Sequence, residues 1–448
     1  MSPLAHLTYL DEGIKDRSLS ITVVGLGYVG LPSAISFHEA GFPVRGLDAS
    51  EEVINSLIDG SSQLLGELGK NLPSGQNWNL FSNYEDCIPG TDVAIVCVPT
   101  PVDSDRKPDI TPVSNSLESI ISSRDPDSDL VIILESTVQP GTTKKCVEEA
   151  LSSSGDNGEG VYIAYCPERI SPGEDGFGIG DVSRVIGAET EELARVLSVL
   201  YGSITEGEIF PVSTIEVAEA SKLVENAQRD IDIAFSNELS ILMPKMNLDV
   251  EEVLAAAATK WNFHRHTPGM GVGGHCIPID PHYYMEIAEK YGVKSSLSPA
   301  ARQLNFSMPN HNANEVFRLF GGIPEKVLVL GYAYKPNVSD TRETPLKPFI
   351  SSLIDSGVSQ VLVWDPLVDA SQLPESVTKI HSLSESSSAD CIVIGTAHDE
   401  IVNLDWKWLF EISNTSFLYD SRRCLDPNKI EEIGWHFHAI GRPLRVVK

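Results

Sequence analysis

Short apolar runs alternate with amphipathic segments over the first 211 residues of the chain. The runs predict buried strands at 19–24, 43–47, 92–98, 130–134 and 161–165. Because helical patterns separate the runs, we expect the strands to lie parallel in one sheet. From about 212 to 312, apolar residues recur every three or four positions, which predicts helices. Apolar runs return at 326–330, 361–364, 391–394 and 417–419.

These patterns predict an α/β protein in which two Rossmann-like, doubly wound parallel-sheet domains are joined by a central helical domain. The predicted boundaries are 1–211, 212–320 and 321–448. In the central portion, an apolar stripe runs from Val217 through Val224 to Ala234, and Lys222, Asn226 and Arg229 share the opposite face of the same predicted helix.

A glycine motif directly follows the first predicted strand. Gly25, Gly27 and Gly30 enclose Tyr28 and Val29 in the order G-x-G-x-x-G, and a helical pattern follows. Such glycines allow a tight turn and the close approach of a pyrophosphate to a helix N-terminus. Asp48 ends the second predicted strand, where a carboxylate can bind ribose hydroxyls and repel a 2′-phosphate. The motif therefore predicts NAD as the cofactor rather than NADP.

Loops at the carboxyl ends of parallel strands hold ligands in such folds. The loop containing Pro99 and Thr100, the loop containing Thr137, and the loop containing Glu168 and Arg169 follow three of the predicted strands. We expect them to contribute to a single site.

Composition restricts the cellular location and the partners that we expect for this protein. The chain is 448 residues long and 42% hydrophobic, without an apolar run long enough to span a bilayer or the apolar core of a signal peptide near its start. Its seven cysteines are odd in number and include no C-x-x-C pair, which favours reduced thiols and a cytoplasmic location. The formal charge of −30 disfavours nucleic acid and anionic membranes as partners.

Cys276 follows three glycines in the segment GVGGHCIPIDP (271–281), and Asp280 comes four residues later. A thiol on an open glycine loop is a candidate nucleophile, although a small packed cysteine beside a turn fits the same pattern. Histidines at 264, 266, 275 and 282 raise the possibility of a metal site. Their spacing is irregular, and we predict no metal.

Seen together, these motifs resemble the UDP-glucose/UDP-N-acetylhexosamine 6-dehydrogenase family over residues 19–448. The resemblance rests on GLGYVGLP (25–32), the loop at 98–101, ESTVQPGT (135–142), YCPERISPG (165–173), EASKLVENAQRD (219–230), GVGGHCIPIDP (271–281), GYAYKPNVSDTRETP (331–345) and DSRRCLD (420–426). GGHC and the preceding TKWNF (259–263) are more similar to the N-acetylhexosamine branch than to the UDP-glucose branch.

The resemblance implies oxidation of a sugar C6 alcohol to a carboxylate with NAD, through a thiohemiacetal and a thioester on Cys276. It implies that Lys222 and Asn226 face the reacting oxygen, that Asp280 is an orienting residue or a base, and that Thr137 and Glu168 position the hydrolytic water. The implied substrate-binding residues are Glu168, Arg169, Lys222, Asn226, Arg229, Gly273, Lys335, Arg342 and Arg422. It also implies an NAD-binding domain (1–211), a helical domain carrying Lys222, Cys276 and a homodimer contact (212–320), and a UDP-sugar-binding domain (321–448).

Other functions remain open from the sequence. The same mechanism would serve a UDP-glucose 6-dehydrogenase. An inactive nucleotide-sugar sensor would be expected to lack Cys276 or Lys222, and a single-oxidation hydroxyacid dehydrogenase needs no thiol. A short-chain epimerase or dehydratase needs a tyrosine with lysine four residues later, and no tyrosine of this chain has one.

Overall fold

The computed structural model of the protein describes residues 3–103, 105–170 and 178–444. The end of the motif at 165–173 therefore lies outside the described residues. The described residues form two compact units: unit 1 comprises Met1–Glu225 with His282–Ile287, and unit 2 comprises Asn226–Pro281 with Ala288–Lys448. The three-domain boundaries at 211 and 320 stay a prediction.

Unit 1 contains an eight-stranded sheet with strand order β3-β2-β1-β4-β5-β6-β7-β8. Its central strands are buried on both faces and consist almost entirely of Val, Ile, Leu and Ala, as expected when helices cover both sides. The strands are β1 Ile21–Val24, β2 Val44–Leu47, β3 Trp78–Phe81, β4 Val93–Val96, β5 Leu130–Leu134, β6 Val161–Tyr165, β7 Arg184–Ala188 and β8 Ile209–Pro211.

Helices pack on both faces of this sheet through two hydrophobic clusters. They are α1 Pro3–Asp16, α2 Gly30–Glu39, α3 Glu51–Ile58, α4 Gln63–Leu68, α5 Tyr84–Cys87, α6 Thr111–Ser123, α7 Thr142–Ser154 and α8 Glu191–Tyr201. The helical region that follows comprises α9 Ile215–Leu242, α10 Val250–Ala257, α11 Asp280–Lys290 and α12 Leu297–Phe320, with a 3-10 turn at Met243–Met246.

Unit 2 contains a six-stranded parallel sheet with strand order β11-β10-β9-β12-β13-β14. The strands are β9 Lys326–Leu330, β10 Gln360–Trp364, β11 Thr378–Lys379, β12 Cys391–Ile394, β13 Phe417–Asp420 and β14 His436–Ala439. Its helices are α13 Leu346–Asp355, α14 Asp399–Val402, α15 Trp406–Ile412 and α16 Pro427–Ile433, with 3-10 turns at Ala370–Gln372 and Leu383–Ser388.

The predicted fold class is confirmed: two α/β sheets and a helical middle are present. One feature differs from a fully parallel first sheet, because β7 pairs antiparallel with β6. The helix α1, which precedes the glycine motif, was not predicted; it packs against α8 through Leu10 and Ile14.

The long helix α9 differs from the predicted apolar stripe. Val217 and Val224 are about half exposed, and the most deeply buried side of α9 includes the polar residues Glu219, Asp230 and Asn237. A buried polar group is stable only when its hydrogen bonds are satisfied, so these residues fix the position of α9 through specific partners.

No helix within residues 3–103, 105–170 and 178–444 combines the length and the apolar character that crossing a bilayer requires.

Candidate active site

The glycine motif forms a tight turn between β1 and α2. Gly25 has φ +90°, and a Cβ added to Gly30 would collide with the carbonyl oxygen of Gly25. A Cβ on Gly27 would meet no atom within 4 Å, so the turn is open there. No side chain caps α2, because its N-cap residue is Val29. This open cradle at an uncapped helix N-terminus fits the pyrophosphate of NAD. Tyr28 lies in the same turn.

Asp48 lies beside this cradle at the end of β2. One of its carboxylate oxygens accepts the N–H of Leu26 at 2.9 Å, and the other accepts the N–H of Ser50 at 2.9 Å. Each oxygen has a second lone pair for a hydroxyl group. The carboxylate is thus held rigidly, in the position that a ribose-binding acid occupies in this fold.

The next two loops of unit 1 meet at the same edge of the sheet. The Ser136 hydroxyl donates to the carbonyl of Val98 at 2.7 Å, which links the loop of Pro99 and Thr100 to the loop of Thr137. Thr137 is half-buried. The Tyr283 hydroxyl donates to the carbonyl of Thr100 at 3.1 Å. The structure therefore brings together two of the loops that the sequence predicts to contribute to one site, and it adds Tyr283 of α11 to them.

Glu168 and Lys222 are in direct contact. The Lys222 ammonium group donates to the backbone carbonyl of Glu168, and the Glu168 carboxylate accepts the N–H of Ile170 at 2.6 Å through its Oε2. Arg169 forms an ion pair with Glu225 on α9. Unit 1 thus places Lys222 against the backbone of Glu168, so two residues assigned by resemblance lie next to each other after β6.

Behind Glu168 lies a buried charge cluster that sequence reasoning missed. The guanidinium of Arg184, on β7, is fully buried and lies 3.5 Å from Glu135 Oε1 and 3.9 Å from Glu168 Oε1. Glu135 accepts the Tyr201 hydroxyl at 2.6 Å and the Cys97 thiol at 3.4 Å. Burial raises the pKa of Glu135, and Arg184 opposes that shift.

A second buried acid connects α9 to α7. Glu219 accepts the N–H of Gly141 at 2.6 Å, the N–H of Thr143 at 2.9 Å and the Thr143 hydroxyl at 2.6 Å. Gly141, the N-cap of α7, has no side chain to satisfy these donors. Burial raises the pKa of Glu219, and these hydrogen bonds oppose the shift. Glu219 precedes Lys222 by about one helical turn, so the same contact fixes the position of Lys222.

In unit 2, the Cys276 loop leads directly into α11. The carbonyl of Cys276 accepts the N–H groups of Ile279 at 3.0 Å and Asp280 at 2.8 Å, so the thiol lies in the turn that begins this helix. Cys276 is half-buried rather than packed in a core. A helix N-terminus favours a negative charge nearby, which suits a thiolate.

The glycines before Cys276 pack tightly on another loop of unit 2. A Cβ on Gly273 would lie 2.8 Å from the Glu343 carbonyl oxygen, and one on Gly274 would lie 2.7 Å from the Tyr334 ring. Gly274 also has φ +88°, which favours glycine. The two positions accept no larger residue without movement of that loop.

Asn226 and Asp280, both predicted to be catalytic, are in direct contact. The Asn226 amide donates to the Asp280 carboxylate at 2.5 Å, and Asp280 is buried. Arg229, placed by the sequence on the same face of α9, is exposed.

Arg342 lies beside the Cys276 loop. Its guanidinium donates to the buried Asp340 carboxylate at 2.6 Å and to His275 Nδ1 at 3.1 Å. Lys335 is half-buried in the same loop after β9.

The loop after β9 is anchored by a second buried pair. His398 lies 3.1 Å from Asp365 through Nε2, and its Nδ1 accepts the N–H of Asn337. Burial acts to raise the pKa of Asp365, but hydrogen bonds from His398 and from backbone N–H groups lower it to about 2.

Arg422 follows β13. Its Nε donates to the carbonyl of Gly395 at 2.6 Å, while its Nη2 is buried and has no hydrogen-bond partner among the described residues. Burial lowers the pKa of Arg422. A buried donor without a partner is costly, and a ligand oxygen would satisfy it. Across the described ranges, no group of three or more His, Cys, Asp or Glu side chains is arranged to hold a metal ion.

Comparison with known proteins gives the family. Models of the UDP-glucose/GDP-mannose dehydrogenase family match as its NAD binding domain at residues 19–205, its central domain at 216–307 and its UDP binding domain at 328–427. The UDP-N-acetyl-D-glucosamine 6-dehydrogenase of Pseudomonas aeruginosa is 34% identical over 426 residues, which cover 92% of this chain and 99% of that protein.

A UDP-N-acetyl-D-mannosamine dehydrogenase of Pyrococcus horikoshii is 33% identical over 435 residues, covering 95% of this chain and 99% of that one. A solved UDP-D-ManNAc dehydrogenase structure from Pyrococcus horikoshii superposes with a TM-score of 0.81 at 32% identity, over 95% of this chain and 99% of that chain. The chain is an NAD-dependent oxidoreductase and belongs to the UDP-glucose/GDP-mannose dehydrogenase family.

Proposed function

We propose that this protein oxidises the C6 alcohol of a UDP-N-acetylhexosamine, UDP-GlcNAc or UDP-ManNAc, to the uronate. The names of the two relatives and the GGHC segment support this substrate class. The observation that carries the proposal is the half-buried Cys276 at the start of α11, four residues before an Asp280 carboxylate that Asn226 holds. The same mechanism on UDP-glucose is the alternative.

The proposed chemistry needs a thiol because a bare aldehyde has no hydroxyl to assist a second hydride loss. Two oxidations by two NAD in turn and one water convert the alcohol to a carboxylate, and bound NAD supplies the hydride acceptor each time. Cys276 adds to the aldehyde carbon to give a thiohemiacetal, which after oxidation becomes a thioester. Lys222 and Asn226 stabilise the reacting oxygen, and Asp280 orients the group.

Hydrolysis of the thioester is assigned to Glu168 and Thr137. A carboxylate can take a proton from water as the water attacks the carbonyl carbon, and the Cys276 thiolate then leaves. Arg169, Arg229, Gly273, Lys335, Arg342 and Arg422 complete the proposed substrate contacts. The orphan Nη2 of Arg422 supports its part in this set.

NADH release from a panel of UDP-GlcNAc, UDP-ManNAc, UDP-GalNAc and UDP-glucose tests the substrate. The highest kcat/KM is expected with an N-acetylhexosamine; preference for UDP-glucose would overturn that assignment. Cys276→Ala is expected to abolish uronate formation. Cys424→Ala removes another half-buried thiol of unit 2 and serves as the matched control. Normal uronate output from Cys276→Ala would rule out covalent catalysis.

The proposal includes a homodimer in the cytoplasm. Val217, Val224, Phe235 and Leu242 are each about half exposed, at spacings of seven and eleven residues along α9, so they form one apolar stripe. A stripe of this kind fits a second copy of the same helix. A thiol nucleophile also fits a reducing compartment. Light scattering with Val224→Glu would test the dimer.

A further inference from the structure

Arg184 is a buried cation whose guanidinium nitrogens lack a well-placed acceptor within the described ranges. Its side chain is 0% exposed, and its Nε, Nη1 and Nη2 have no hydrogen-bond partner among the described residues. The acidic atoms closest to it in the described part of the chain are Glu135 Oε1 at 3.5 Å and Glu168 Oε1 at 3.9 Å. The guanidinium also lies over the Tyr201 ring, 5.1 Å from its centroid.

Such an arrangement is poor for stability alone. Each buried donor without a partner costs roughly 1–3 kcal/mol, and a buried ion pair seldom stabilises more than packed apolar residues would. Arg124 in the same unit shows the ordinary solution, because its guanidinium makes two hydrogen bonds to Asp156 at 2.7 and 2.8 Å. Stabilisation of the fold therefore does not account for an arginine at this position.

The geometry connects Arg184 to the active site through one atom. Glu168 Oε2 accepts the N–H of Ile170, whereas Glu168 Oε1 is buried, has no hydrogen bond from any described residue and faces Arg184. On its other side Arg184 faces Glu135, which the Tyr201 hydroxyl and the Cys97 thiol hold in place. One cation thus lies between two carboxylates, and only Glu168 belongs to the proposed catalytic set.

We propose that Arg184 is a positioning residue that keeps the Glu168 carboxylate charged and oriented, and that Glu135 sets how strongly Arg184 does so. The inference rests on the proposed role of Glu168 in activating water. Loss of Arg184 removes the cation that favours the charged form of Glu168. Loss of the Glu135 charge leaves Glu168 as the only one of the two carboxylates that attracts Arg184.

The other titratable groups of this cluster do not supply a competing charge. Burial raises the pKa of Cys97 and raises that of Cys166 to about 12, so both thiols stay neutral. Burial likewise raises the pKa of Tyr201. Burial acts to lower the pKa of Arg184, but Glu135 and its other neighbours raise it.

Two charged residues of α9 contact the 168–169 segment. Lys222 is bound to the backbone carbonyl of Glu168 rather than to its carboxylate, and Glu225 is paired with Arg169. Among the described cations, Arg184 is thus the one that lies against the Glu168 carboxylate, and Arg184 in turn lies against Glu135.

The test is the pH dependence of kcat for Arg184→Met, Arg184→Lys and Glu135→Gln with the UDP-sugar that the wild type oxidises best. Arg184→Met is expected to move the acidic limb to higher pH by about one unit and to lower kcat at least tenfold, while both KM values change less than threefold. Glu135→Gln is expected to move the limb to lower pH. Arg184→Lys, which keeps the charge, is expected to restore the position of the limb.

Arg124→Met is the matched control, because it removes a buried arginine of unit 1 away from Glu168; it is expected to lower stability without moving the limb. Glu168→Gln separates the two hypotheses. If the acidic limb persists in Glu168→Gln, the proposed role of Glu168 fails, and the inference about Arg184 fails with it. If Glu168→Gln removes the limb but Glu135→Gln leaves it unmoved, the inference about Arg184 alone is wrong, even if Arg184→Met does not fold.

Discussion

Removal of the Glu219 carboxylate should loosen both α7 and the helix that carries Lys222. Its two oxygens accept three hydrogen bonds from Gly141 and Thr143 in a fully buried setting. Glu219→Ala leaves these three donors without a partner, at roughly 1–3 kcal/mol each. Burying the Glu219 carboxylate itself costs free energy, as its raised pKa indicates, and Glu219→Ala removes that cost. We therefore expect the free energy of unfolding to fall by about 3–5 kcal/mol.

Conservative variants separate the contributions of the individual hydrogen bonds to this loss of stability. Glu219→Gln places an NH2 group against a backbone N–H and is expected to cost about 2 kcal/mol, because one acceptor is lost and two donors face each other. Thr143→Val removes only the hydroxyl and is expected to cost about 1 kcal/mol. The control is Glu216→Gln, one turn earlier on α9, whose ion pair with Lys144 at 2.9 Å is partly exposed. It is expected to change stability by less than about 0.5 kcal/mol.

The assay is the midpoint of urea unfolding, together with hydrogen exchange of the amides of Gly141 and Thr143. Exchange at these amides should accelerate in Glu219→Ala and Glu219→Gln but not in Glu216→Gln. The reasoning is refuted if Glu219→Ala unfolds at the same urea concentration as the wild type, or if amide exchange increases equally in the Glu216 control.

Three further predictions concern single residues. Asp48→Asn is expected to weaken NAD roughly ten- to hundredfold and to improve NADP relative to NAD, because a charge-assisted hydrogen bond contributes ~1.5–3 kcal/mol; unchanged cofactor KM values would count against the ribose contact. Lys222→Ala is expected to lower kcat much more than it raises the KM for the UDP-sugar, and a pure KM effect would make Lys222 a binding residue. The pKa of Asp365 is lowered from 3.8 to about 2 in the folded protein, so its charged form stabilises the fold by ~2 kcal/mol above pH 4, and this contribution is lost as the pH falls toward 2. In urea unfolding between pH 5 and 3, the free energy of unfolding of Asp365→Asn should therefore decline less with falling pH than that of the wild type. An identical decline would contradict this.

Much of the fold follows from local sequence patterns. The strands at 130–134 and 161–165 were predicted with the bounds that the structure has, because buried parallel strands are continuous apolar runs. The glycine turn and Asp48 were also predictable, since a nucleotide-binding turn restricts residue type at fixed offsets. The antiparallel β7 was not, because its pairing depends on a chain reversal that no periodicity records.

The positioning residues of the site were less accessible to sequence reasoning. Arg184 begins an apolar strand, where an arginine ordinarily points to solvent, and only tertiary structure shows it buried between Glu135 and Glu168. Glu219 looks like a surface acid on a helix. The available signal was its place in the EASK segment, about one turn before Lys222, since an acid next to a lysine that the resemblance assigns to catalysis calls for a search for its partner.

The contact between the glycines at 273–274 and the loop after β9 has a consequence for chimeric enzymes. Because the Tyr334 ring and the Glu343 carbonyl occupy the space that side chains would need there, a cysteine loop transplanted from a relative will fit only if residues 331–345 are exchanged with it. Domain shuffling at the predicted 320/321 boundary should therefore yield poorly matched hybrids, and natural substitutions in the two segments should be inherited as pairs.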